Sequence, residues 1–67
     1  MTDKPLKDRE VLLEFQPMGQ LVKVTAFDTQ SMTEISIQGP KTAGENALRH
    51  NALRRLEYVL KKKGILA

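Results

Sequence analysis

At Gly39-Pro40 the spacing of apolar residues changes from every second position to every third or fourth. Before this point, Val11, Leu13 and Phe15, then Val22, Val24 and Ala26, then Ile35 and Ile37 alternate with polar or mixed positions. Alternation of this kind marks half-buried strands. After it, stepping about 100° per residue gathers Leu48, Ala52, Leu53, Leu56, Val59 and Leu60 into an arc of about 140°, the stripe a helix needs to cover a sheet. The pattern predicts an α+β fold: a three-stranded antiparallel β-meander with one C-terminal α-helix packed across one face (β-β-β-α).

The connections around PMGQ and DTQSM are short enough for hairpins. A loop of two or four residues centred between Met18 and Gly19 pairs Phe15 with Val22, Leu13 with Val24 and Val11 with Ala26. Paired numbers then sum to 37, and every apolar side chain falls on one face. The same pairing sets Glu14 opposite Lys23. A three-residue loop would place Leu13 against Lys23, and the apolar pattern rejects it.

For the helix, Thr42 followed by Glu45 has the spacing of a capping box, which predicts a start at Thr42. Lys61, Lys62 and Lys63 suit the negative end of the helix dipole, and Gly64 supplies a left-handed stop. Ile65 is then expected to fold back on Leu60.

A chain of 67 residues is one small domain. Residues 1–9, MTDKPLKDR, alternate charge around Pro5 and read as a flexible N-terminal tail, leaving 10–67 as the single β-β-β-α domain. They resemble neither a signal peptide nor a membrane anchor. The absence of cysteine removes disulfides and thiolate metal sites and fits the cytoplasm. The formal charge of +3 is unevenly spread. Residues 10–40 set Lys23 against Glu10, Glu14, Asp28 and Glu34, whereas from Lys41 onward seven Lys and Arg face only Glu45 and Glu57. Such polarity steers a charged partner or reflects complementarity between two halves of one domain.

The stretches FQPMGQLVKVTAFD, TEISIQGP and ALRRLEYVL resemble a family of short bacterial proteins known as a domain of unknown function, over about residues 10–60. That resemblance implies no activity, ligand or catalytic residue. Three strands followed by a helix also resemble the second part of double-stranded-RNA-binding domains. Those begin with a helix, for which residues 1–9 leave no room. They also carry a Lys-Lys-x-Ala-Lys run where this chain has KTAGENALR.

Candidate sites are few. His50, the one histidine, points away from the apolar arc toward Asn46 and Arg54, with no orienting partner or pocket in sight. No group of carboxylates has metal-ligand spacing, and no glycine belongs to a phosphate-binding loop. The reading is therefore non-enzymatic, with no catalytic residue, cofactor or metal. Arg54, Arg55, Tyr58, Lys61 and Lys62 form a basic helix face, the candidate nucleic-acid surface. Glu45 with Arg49 and Glu57 with Lys61 are ordinary helix-stabilising pairs. A membrane-surface role conflicts with the sheet's need for the apolar arc.

The outer sheet face presents Leu12, Leu21 and Phe27 among polar residues, with Met18 and Met32 at the hairpin tips, and is the candidate partner surface. The first and third strands are open edges, without a proline or inward-pointing charge in this reading. The expected function is a small protein-interaction module that associates with itself as a homodimer or with another protein. The alternative is an accessory nucleic-acid binder using the basic helix face.

Overall fold

The structure is a computed structural model and describes residues 6 and 8–67. Three strands, β1 (Val11–Met18), β2 (Leu21–Asp28) and β3 (Thr33–Pro40), form an antiparallel sheet in the order β1-β2-β3. A 3-10 turn at Lys41–Ala43 leads to the helix α1 (Glu45–Lys62), which lies across one face over β2 and β3. This is the β-β-β-α architecture that the change of period predicts.

The inner face is built from the residues that alternation selects. Val22, Val24 and Ala26 of β2 are buried beneath Leu48, Ala52, Leu53, Leu56 and Leu60 of α1. Val11, Leu13 and Phe15 of β1 and Ile35 and Ile37 of β3 pack around this cluster half-buried. The middle strand is the most completely covered, because it has a neighbour on both sides and the helix above.

The β1–β2 register differs from the expectation. Phe15 pairs with Val24, Leu13 with Ala26 and Val11 with Asp28, so paired numbers sum to 39 rather than 37. Gly19 explains the shift. It takes φ +63° as the first residue of a two-residue loop, Gly19-Gln20, the place where a tight hairpin turn requires glycine. A slip of two leaves each side chain on its expected face, whereas a slip of one would have turned the apolar set outward. Glu14 consequently faces Thr25, and Lys23 faces Gln16.

The strands run far enough to include Pro17 in β1 and Pro40 in β3. Both edges therefore do contain a proline, contrary to the sequence reading. Each sits at the same end of the sheet, where a missing N–H ends the edge's capacity to pair.

The capping box does not form. The Lys41 amide still donates to the Gln20 carbonyl at 2.8 Å, which holds the chain in the ladder past Pro40 and delays the turn into the helix. Gly44, at φ 90° and ψ 155°, makes the reversal, and α1 begins at Glu45. Glu45 then pairs forward with Arg49 instead of back with Thr42. At the other end the expected stop is present: Gly64, at φ 78°, donates to Lys61 O at 3.0 Å and Ile65 donates to Leu60 O at 2.9 Å. Leu66, rather than Ile65, packs against the core.

Two residues of the 1–9 segment, expected to be a tail, make contacts with the domain. Leu6 is 1% exposed within the core cluster, and Arg9 is bound to Asp28. Residues 1–5 and 7 lie outside the described residues.

Candidate interaction surfaces

The register fixes what the uncovered face of the sheet displays. Running from one end to the other, its rungs are Leu12–Phe27–Glu34, Glu14–Thr25–Ser36, Gln16–Lys23–Gln38 and Met18–Leu21–Pro40. The three candidate residues are thus divided between the two ends. Leu12 and Phe27 are direct cross-strand partners, with Leu12 53% exposed and Phe27 partly covered. Leu21 stands at the opposite end between Met18 and Pro40, at 42% exposure. Two polar rungs separate the apolar ends, so the face is no second core. It is a sheet surface with two apolar footholds.

The basic helix face is brought together as the periodicity implies, but much of its charge is already engaged. Lys61 Nζ lies 2.9 Å from Glu57 Oε2. The Arg55 guanidinium stands 5.5 Å from the centre of the Tyr58 ring and Lys62 Nζ 5.9 Å from it, while the tyrosine itself stays 53% exposed. Arg54 makes no ion pair among the described residues and shares a shallow depression with Glu57, Tyr58 and Lys61. Glu57 puts a carboxylate inside the patch that a phosphate would have to approach.

His50 is exposed beside Asn46, Arg49 and Leu53. Among the described residues no group of three His, Asp or Glu converges on a possible metal position. No helix among them is long and apolar enough to cross a membrane.

One cluster escaped the sequence reading. Asp28 lies on the inner face, fully buried, opposite Val11 and Thr33. Arg9 donates to it twice, Nε to Oδ1 at 3.1 Å and Nη2 to Oδ2 at 2.8 Å. The Ser31 amide and hydroxyl donate to Oδ2 from the β2–β3 turn. With its one proton committed to the carboxylate, the Ser31 hydroxyl accepts from the Thr33 hydroxyl at 2.8 Å, and Thr33 Oγ1 in turn accepts from Lys63 Nζ at 3.3 Å. The Arg9 hydrogen bonds, helped by those from Ser31, hold the Asp28 carboxyl below its ordinary range against the opposing effect of burial. The signal was present in the sequence, since Val22, Val24, Ala26 and Asp28 are one continuous alternation. A carboxylate at the fourth inward position has to find a partner.

A family model described as a domain of unknown function, DUF6898, matches residues 8–63. The chain belongs to this family. The match takes in all three strands, the turn and α1, together with Arg9 and Asp28. No curated protein and no solved structure matches the chain. Membership in DUF6898 therefore agrees with the resemblance in the sequence over nearly the same span, and it brings no activity with it.

Proposed function

We propose that this DUF6898 protein is a non-enzymatic protein-interaction module whose working surface is the sheet rather than the helix, and that it associates with itself as well as with another protein. The observation that carries this reading is the outer sheet face: a complete side of the sheet has no covering layer among the described residues and displays the Leu12–Phe27 pair and the Met18–Leu21–Pro40 rung. Apolar residues at such positions gain by burial against a partner, at about 25 cal/mol per Å² of apolar surface removed from water. His50 stands exposed beside Asn46, Arg49 and Leu53, with no carboxylate lining the same depression among the described residues.

Nucleic-acid binding through Arg54, Arg55, Tyr58, Lys61 and Lys62 is the second reading, favoured by the positive charge of α1. The Glu57–Lys61 pair, which sets a carboxylate within the patch, weighs against it. Affinity capture from the native cell, with and without nuclease, separates the two. The sheet reading expects a protein partner retained after nuclease and lost with Leu21→Lys plus Phe27→Lys. Retention that nuclease abolishes, or that only Arg54→Glu with Arg55→Glu removes, would transfer the function to the helix.

A further inference from the structure

The two open edges of the sheet differ in what they offer. The Thr29 amide donates to the Glu10 carbonyl at 3.1 Å, which continues the β1–β2 ladder and shows that the even-numbered residues of β1 turn their backbone groups toward β2. In an antiparallel ladder the intervening residues point the other way. Val11, Leu13 and Phe15 therefore aim N–H and C=O off the edge, with no backbone partner among the described residues. Their side chains lie on the inner face and stay half-buried, because α1 lies over β2 and β3. Pro17, next in the series, has no N–H and closes the edge.

We propose that β1 pairs antiparallel with β1 of a second copy about a two-fold axis at Leu13, joining two sheets into one of six strands. The proposal rests on the protein-interaction reading and specifies the self-association within it. Outward-facing residues must meet outward-facing residues, so the two strands can shift only in steps of two. With the axis at Leu13, Val11 meets the partner's Phe15 and Leu13 meets the partner's Leu13, forming roughly six hydrogen bonds. On the outer face Leu12 then meets the partner's Glu14, and Glu10 meets the partner's Gln16.

Charge rejects the neighbouring registers. An axis at Leu12 sets Glu10 against the partner's Glu14 on both sides of the two-fold. An axis at Glu14 sets that residue against its own counterpart and brings Val11 against the partner's Pro17, which cannot donate. Like charges directly opposite are destabilising, so of these three registers the one at Leu13 is left, and axes further along β1 overlap fewer outward-facing residues.

Charge also selects the edge. The Leu48 side chain occupies the space where a Cβ on Gly39 would lie, which places that flank of α1 over β3. Steps of about 100° put Arg55, Tyr58 and Lys62 on the outer side of the same flank. Pairing through β3 would bring two basic flanks together, whereas pairing through β1 keeps them at the far ends of the joined sheet. A domain this small also gains more from association than a large one.

Sedimentation equilibrium of the full chain from micromolar to hundreds of micromolar, combined with amide exchange, tests the proposal. A dimer is expected, with the Val11, Leu13 and Phe15 amides becoming protected as it forms. Leu12→Glu, opposite the partner's Glu14, should weaken it about tenfold, Leu12→Lys should tighten it, and Leu12→Glu with Glu14→Lys should restore it. Because Leu12 is exposed, unchanged helix content by circular dichroism is expected in all three. A 7.6 kDa species at every concentration overturns the proposal, as does a dimer in which those three amides exchange freely. Weakening by both Leu12→Glu and Leu12→Lys also overturns it, since that moves association to the outer face and leaves the interaction reading standing.

Discussion

Arg9 and Asp28 are joined by two hydrogen bonds, at 3.1 and 2.8 Å, between the segment preceding β1 and the last residue of β2. The pair secures the end of the sheet where Leu6 enters the core, and Ser31 ties the same carboxylate to the β2–β3 turn. A buried carboxylate persists only where such partners offset its lost hydration.

Stability should depend on acid in a definite direction. Because folding lowers the Asp28 pKa, its contribution is present above the unfolded value of about 3.9 and is lost as pH falls through the folded value. Thermal unfolding between pH 7 and 2 should show the natural protein losing stability mainly below about pH 4. Asp28→Asn should lower stability by about 2 kcal/mol at pH 7 and flatten this acid dependence. An unchanged acid profile in Asp28→Asn would show that other carboxylates govern it.

Gly39 is required by its neighbour. A Cβ there would overlap the tip of the Leu48 side chain, which is 2% exposed and would have to shift. Gly39→Ala should destabilise by about 1 to 3 kcal/mol in urea unfolding. The cost should shrink when Leu48→Ala is already present, because the overlapping group is gone. Equal costs in the two backgrounds would reject the contact.

The helix is held to the sheet chiefly by leucines at its centre. Leu56 is completely buried, and Leu56→Ala should cost about 2 to 5 kcal/mol, a large part of the stability expected of so small a domain. A loss below 1 kcal/mol in equilibrium unfolding would mean that α1 is not seated as described.

The fold was legible because two signals agreed over long runs: alternation through Val22, Val24 and Ala26, and helical spacing through Leu48, Leu56 and Leu60. Details decided by one residue were harder to read. Gly19 moved the register by two while preserving the faces, so apolar pattern alone could not distinguish sums of 37 and 39. The Thr42–Glu45 capping box looked sound locally but gave way to the Lys41–Gln20 bond, which comes from the distant β1–β2 hairpin loop. Asp28 was passed over as part of an acidic segment, although its position in the alternation marked it as inward. The division of Leu12 and Phe27 from Leu21 across the outer face emerged only with the register.

The basic helix should behave as a solvated face. We expect no binding tighter than about 1 μM to duplex DNA, duplex RNA or single-stranded RNA at about 0.15 M salt, the range of non-specific phosphate contact. Nanomolar binding by the natural chain, lost in Arg54→Glu with Arg55→Glu at unchanged helix content, would favour the second reading.

Site-specific photocrosslinking in the native cell tests most directly whether the sheet or the helix is the working surface. A photoreactive phenylalanine analogue at Phe27 places the probe on the outer sheet face, and the same analogue at Tyr58 places it within the basic helix patch. The account predicts discrete protein adducts from position 27 and none from position 58. Nucleic-acid adducts from position 58, with none from position 27, would contradict it.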